Sequence, residues 1–314
     1  GCAFRMCRLP IGASDYAGEW YSHNETDGDF GMSRFSIERD RSHLIPYIRM
    51  ALKREPKLKL FASPWSPPTW LKSPKAYNCG TLVWKPEYLR AYALYFARFV
   101  QAYAEEGITV HQIHMQNEPC ADQKFPSCLW TGAQMRDFIR DYLAPCFEKE
   151  GLDTELWLGT LNKDDFAGYP LTVLSDPEAR EAIAGVGMQW DARHMVQRVH
   201  RSWPDLPLMQ TENECGDGRN TWEYAEYVFG LMQHYISNGA NAYVYWNMVL
   251  PEGGCSTWGW RQNSLVTVER ETGAFTLRPE FHVMRHLSQF VRPGAVRLET
   301  IGQWAGTSLA FRNP

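Results

Sequence analysis

The sequence has no apolar run near the about 18 residues that a bilayer-spanning helix needs, which excludes a membrane-embedded helical protein. It has no excess of basic charge: 32 Lys and Arg stand against 36 Asp and Glu, for a formal net charge of −4. That balance gives no electrostatic footprint for nucleic acid or an anionic surface. Cysteine is sparse, eight in 314 residues, with no CxxC and no Cys/His finger spacing, which excludes a disulfide scaffold and a structural zinc site. There is no GxGxxG or P-loop pattern, so a nucleotide cofactor is not expected. No Ser/Gly linker or low-complexity stretch divides the chain, and no charged leader or signal-type apolar core opens it, so the compartment has to be inferred indirectly. Two hints, a Cys120/Cys128 pair flanking a polar loop and the sequon Asn24-Glu25-Thr26, point to a secreted, extracellular, lysosome-like or periplasm-like setting.

What is abundant is aromatic surface. Aromatics make up 14% of the chain, with 13 Trp and 15 Tyr. These residues join a flat apolar face to a polar edge, which suits sugar rings as well as cores.

Short β-rich runs alternate with helical periods along nearly the whole length, the pattern of a parallel sheet with crossover helices, so the class is α/β. The strands are predicted at residues 4–11, 59–63, 110–116, 155–159, 185–190, 208–212 and 242–247. Helices are predicted near 42–53, 86–107, 133–150, 192–202, 222–237 and 279–290. In the second of these Pro86 sets the first turn, and Leu89, Tyr92, Ala93, Phe96, Val100 and Tyr103 recur at helical spacing. Polar and aromatic residues gather at the carboxyl ends of successive runs, which favours a barrel over a doubly wound sheet. After Pro293-Gly294, two short β-like runs at 295–301 and 308–311 suggest the start of a separate β domain.

Asn117-Glu118-Pro119 ends the third run and Thr211-Glu212 ends the sixth. Two carboxyls delivered to one face by different strands are what glycoside hydrolysis requires. Strand alternation puts Leu208, Gln210 and Glu212 on one face, and Glu212 is the carboxylate closest to the last ordered strand residue, so it is taken as the reacting group and Glu214 as a loop residue. His111 and His114, three apart on a strand, point to opposite faces and make no chelate, so no metal is expected.

The stretches Arg8-Leu9-Pro10-Ile11-Gly12-Ala13-Ser14-Asp15-Tyr16, Ala62-Ser63-Pro64-Trp65-Ser66-Pro67-Pro68-Thr69-Trp70-Leu71-Lys72, Gln116-Asn117-Glu118-Pro119 and Thr211-Glu212-Asn213-Glu214-Cys215-Gly216 resemble glycoside hydrolase family 30, the glucosylceramidase-like family. The resemblance runs through almost the whole chain. It implies a (β/α)8 TIM barrel over residues 1–293, entered at barrel strand 2 so that strand 1 is lacking and a gap is left, with 294–314 beginning a C-terminal β-sandwich. It also implies a retaining mechanism with Glu118 as acid/base, Glu212 as nucleophile and no cofactor. Asp15, Trp65, Asn117, Trp246 and Asn263 match sugar-binding positions, and Arg8 matches an arginine lying under the nucleophile. Gln189, in Met188-Gln189-Trp190-Asp191, stands where animal glucosylceramidases carry His, and Asp191 offers a third carboxylate near the site. The loop 253–260 brings two tryptophans to the barrel mouth, suited to a leaving sugar or a lipid. The expected partner is therefore a β-linked glucoside or a glucosylceramide-like substrate met peripherally at a lipid surface. The expected activity is exo-β-glucosidase, with β-1,6-glucanase, β-xylosidase, β-fucosidase and a non-catalytic glycan-binding barrel as the alternatives.

Overall fold

The computed structural model describes residues 2–314. Seven parallel strands follow one another in chain order: β1 (Met6–Ile11), β2 (Lys59–Pro64), β3 (Gln112–His114), β4 (Glu155–Leu161), β5 (Gly185–Met188), β6 (Leu208–Gln210) and β7 (Ala240–Tyr243). In-register pairing fixes the start of the series, with Met6 opposite Lys59 and Ile11 opposite Pro64. β2 is buried from Leu60 to Pro64, as a strand covered on both faces must be. The sheet curls far enough that Arg8 on β1 bonds directly to Glu212, just past β6.

β1 and β7 do not pair with each other. The gap between them is a cavity of about 450 Å³ whose walls include Cys7, Leu9, Ile48, Tyr243, Tyr245 and Met284. This is the opening expected from the resemblance.

The largest core lies between the sheet and its covering helices. The helix Pro86–Glu105 buries Leu89, Tyr92, Ala93, Phe96, Val100 and Tyr103, the stripe read from the sequence. A second cluster of Phe61, Trp157 and Met209 lies apart from that core. His114 joins this second cluster, with ring centroids 4.8 Å from Phe61 and 5.2 Å from Trp157. Its burial among rings pushes its pKa well below the usual value. His111 instead accepts from the Leu60 N–H through Nδ1 at 3.1 Å. Both are packing groups, and no cluster of three metal-ligating side chains occurs among the described residues.

Several elements differ from the sequence reading. The helix expected over 133–150 is broken into Gly132–Phe138 and Ala144–Lys149 by a wider turn at Ile139–Leu143. Helical turns at Ala167–Leu171, Thr172–Leu174 and Pro177–Ala182 were not anticipated, because Pro170 and Pro177 interrupt their period. A small sheet of Val249–Pro251, Val266–Val268 and Phe275–Leu277 was also missed. Val296–Leu298 pairs antiparallel with Ala310–Arg312, the first strand within and the second overlapping the two terminal runs read as β.

The two sequence features read as hints of compartment take definite places in the fold. Cys120 and Cys128 are free thiols; Cys128 is packed into the main core while Cys120 remains half-buried. Asn24 is 2% exposed, and its Nδ2 is held by Asp29 Oδ2 at 2.9 Å, so the sequon does not present its amide to solvent.

Candidate active site

Glu118 and Glu212 stand just beyond the carboxyl ends of β3 and β6. Backbone pairing continues past the strands to place them: Asn117 N–H donates to Pro64 O at 2.8 Å and Glu118 N–H to Thr160 O at 3.1 Å. On the other side Thr211 N–H donates to Met188 O and Asn213 N–H to Val244 O, each at 3.0 Å. Glu118 has φ +49° and Trp190 φ +50°. Such left-handed conformations cost a non-glycine residue about 1–3 kcal/mol and persist only where the surroundings fix them, which is common at active sites.

Arg8 organises the floor. Its Nη1 donates to Glu212 Oε2 at 2.7 Å, its Nη2 to Asn117 Oδ1 at 2.7 Å, and its Nε to Ser63 Oγ at 3.0 Å. The guanidinium carbon lies 4.6 Å from the Trp65 ring centroid. Gln189 links the two carboxyls. Its Nε2 donates to Glu118 Oε1 at 3.1 Å, while its Oε1 accepts from Arg8 Nη1 at 3.3 Å and from the Thr211 hydroxyl at 2.8 Å. The two acceptor bonds set which end of the amide faces Glu118. Trp190 Nε1 donates to the second oxygen of Glu212 at 3.3 Å.

A cavity of about 300 Å³ opens over this floor, and its wall includes Asp15, Trp65, Asn117, Glu118, Glu212 and Trp246. Three carboxyls thus surround one guanidinium, and burial penalises every charge. Burial and the Glu212 charge push Asp15 up to about 7. Burial and the same charge raise Glu118, against the weaker pull of Gln189 and Arg8. Burial also raises Glu212, but there the Arg8 ion pair and the Trp190 N–H oppose it. With a direct cation on Glu212 and only a neutral amide on Glu118, the proton belongs on Glu118.

Asp15 gives a stability prediction with a definite sign. Its folded pKa lies above the unfolded value, so the folded state binds more protons. Its contribution is full below about pH 4 and is lost as pH rises towards 7. Asp15→Asn is expected to match the parent protein near pH 4 and to exceed it by on the order of 1–4 kcal/mol at pH 8. Urea unfolding at the two pH values checks this; an equal difference at both would mean that Asp15 does not titrate in that window.

Most residues singled out from the sequence converge here, and the exceptions are instructive. Asn263 lies outside the cavity wall: its Nδ2 donates to Glu280 at 2.6 Å and its Oδ1 accepts from the Gly218 N–H at 2.8 Å. Its neighbour Gln262 lines the cavity instead, accepting from Trp246 Nε1 and Asn247 Nδ2, both at 2.8 Å, and facing Asp15 with its amide. Asp191 is not the third carboxylate either, since its side chain is 67% exposed and 3.8 Å from Arg193; Asp15 has that place. Glu214 is held away by Arg193 and by the Tyr227 hydroxyl, consistent with its reading as a loop residue. Sequence reasoning missed Gln123, Phe125 and Asn162 in the cavity wall. They come from irregular loops, where no periodicity signals direction.

Comparison with known proteins accords with this geometry. Residues 1–291 match the glycosyl hydrolase family 30 TIM-barrel domain. The chain belongs to that family. It is 29% identical to putative glucosylceramidase 1 of Caenorhabditis elegans, over 100% of this chain and 65% of that protein. It is 28% identical to an endo-1,6-β-D-glucanase of Neurospora crassa, over 97% of this chain and 65% of that protein. Among solved structures, an endo-β-1,6-glucanase superposes with a TM-score of 0.89 at 25% identity, covering 100% of this chain and 74% of the other. The chain thus spans just under two thirds of the length of these two curated relatives. The family 30 barrel is a glycosidase scaffold, and the relatives differ in what they are named for cleaving.

Proposed function

We propose that this protein is a retaining β-glycosidase acting on β-glucosides. The observation that supports this most is the asymmetry of the carboxyl pair: Glu212 is ion-paired to Arg8 and Glu118 is not, in one cavity at two strand ends. An ionised group and a protonated one side by side are what double displacement requires.

A Glu212 oxygen attacks the anomeric carbon as the bond to the leaving oxygen breaks. The bonding pair leaves with that oxygen, which takes the Glu118 proton. Glycosylation of Glu212 removes its negative charge and with it part of what held the proton on Glu118. The Glu118 carboxylate then takes a proton from water, the water oxygen bonds to the anomeric carbon, and Glu212 is released. Arg8 keeps Glu212 ionised before attack and stabilises it as leaving group afterwards. Asn117 has its Oδ1 committed to Arg8, which leaves its Nδ2 to meet a sugar hydroxyl beside the reacting centre. Asp15, beside Trp65 and Trp246, is the acceptor for hydroxyls further round the ring.

Glucosylceramide-like lipids and β-1,6-glucans are the leaving-group classes suggested by the names of the relatives. The reaction itself is tested by proton NMR during hydrolysis of an aryl β-glucoside. The β-anomer of glucose is expected first, followed by slow mutarotation. Release of the α-anomer first would mean inversion and would remove Glu212 from the role of nucleophile.

A further inference from the structure

The cavity wall carries two groups of aromatic side chains, and the mechanism above gives no role to Phe125, Trp258 and Trp260. Trp65 and Trp246, with centroids 5.8 Å apart, stand on the Asp15 side. In the same cavity Phe125 stacks on Trp258 at 5.2 Å, Trp258 meets Trp260 at 5.3 Å, and Trp260 reaches Trp190 at 6.2 Å. Phe125 belongs to the loop that continues from Glu118, and Cys120 N–H on that loop is tied to Asn162 Oδ1 at 3.2 Å. The loop that carries the proton donor thus also contributes the first ring of this ladder, in the cavity that holds Glu118.

We propose, on the basis of the glycosidase reading above, that Phe125, Trp258 and Trp260 form the leaving-group subsite and that it takes a second hexopyranose ring. A pyranose needs an apolar face to stack on and hydrogen-bonding groups at its edge. The ladder supplies the face. The edge is supplied by Gln123 and Asn162, which line the same cavity. The Gln123 side-chain amide and Asn162 Nδ2 make no hydrogen bond among the described residues, and Gln123 is anchored through its backbone to Ser127. An acyl chain laid over these amides would desolvate them without replacing their hydrogen bonds, which is unfavourable.

The site is also built to tolerate removal of its parts. The turn bearing Trp260 is held by Ser256 N–H to Trp260 O at 2.9 Å and Gln262 N–H to Gly254 O at 2.9 Å, neither of which involves the indole. Trp260→Ala and Gln123→Ala therefore keep the local backbone anchors.

The test compares substrates with and without a second ring: β-glucosyl fluoride, whose leaving group is a single atom, and the β-1,2-, β-1,3-, β-1,4- and β-1,6-linked glucose disaccharides. On the best disaccharide, kcat/KM is expected to fall roughly 10- to 100-fold in Trp260→Ala and roughly 3- to 10-fold in Gln123→Ala. Turnover of the fluoride should stay within about twofold, a split that general loss of structure would not give. Equal losses on both substrate types, or none on the disaccharides, overturn the subsite. Turnover of glucosylceramide in mixed micelles without turnover of any disaccharide also overturns it and makes the ladder a lipid seat. A protein active on the fluoride but indifferent to both substitutions contradicts this inference alone. One inert on every glucoside, including the fluoride, overturns the proposed function and the subsite together.

Discussion

Glu212→Gly is expected to lower hydrolysis of an aryl β-glucoside by roughly 10⁴-fold or more, the usual scale for loss of a nucleophile. The substitution leaves Arg8 without its partner and opens a small space above a guanidinium that still donates from Nη1. Sodium azide should enter that space as an anion and attack the anomeric carbon from the face that Glu212 used. The expected product is the α-glucosyl azide, formed with partial recovery of leaving-group release. Chromatography and NMR identify it. A β-azide, or unchanged hydrolysis, would contradict the assignment. Glu214→Gln is the matched control. Its carboxylate is bound by Arg193 and Tyr227, and activity should remain within about threefold, as for substitutions away from the reacting atoms.

The second large effect depends on the leaving group. Glu118→Ala is expected to cost about 10³- to 10⁴-fold on an alkyl glucoside or a disaccharide, whose leaving oxygen needs a proton. The first step on a dinitrophenyl glucoside should change far less, because that phenolate leaves unprotonated. The pH profile supplies an independent check. In the parent protein activity is expected to fall on the alkaline side as Glu118 loses its proton, at a pH above the ordinary carboxyl range because burial and the Glu212 charge raise its pKa. That limb should vanish in the variant. Azide attacking the glycosyl-enzyme in place of activated water should now give the β-glucosyl azide, the opposite anomer from the Glu212 variant. A loss equal for all leaving groups would leave Glu118 without the acid role.

The strand framework was legible in the sequence because its signal is burial. β2 carries the apolar run Leu60-Phe61-Ala62 and is buried from Leu60 onward, and each of the seven strands overlaps its predicted run. That Glu212 rather than Glu214 enters the cavity was legible from distance to the strand end: the two share a parity, but Glu212 stands two residues past β6 and Glu214 four, where Arg193 and Tyr227 hold it. Legibility fails where direction is set by irregular backbone. Asn263 and Gln262 are adjacent, and nothing in their order reveals that one braces Glu280 and the 218–220 turn while the other faces Asp15. Trp190 is similar, since its φ of +50° turns the indole towards Glu212 in a way that continuation of β5 would not suggest. The short helical turns before β5 were obscured by Pro170 and Pro177, because reading for period treats proline as punctuation. Asp15 could be placed only through the resemblance, as a lone acid after a strand has no spacing to identify it.

The Phe125–Trp258 stack joins two loops that are far apart in the chain and that rest on a floor neither of them builds. Arg8, Asn117, Gln189 and Glu212 are held from below by strand ends, so the upper loops can be exchanged without disturbing the reacting groups. Such a division lets descendants of one ancestral barrel acquire new tastes while keeping one chemistry. The stack also sets a rule for that divergence. A change of ring size at position 125 leaves a hole or a clash at position 258, so the two positions should drift as a pair across evolutionary time rather than independently.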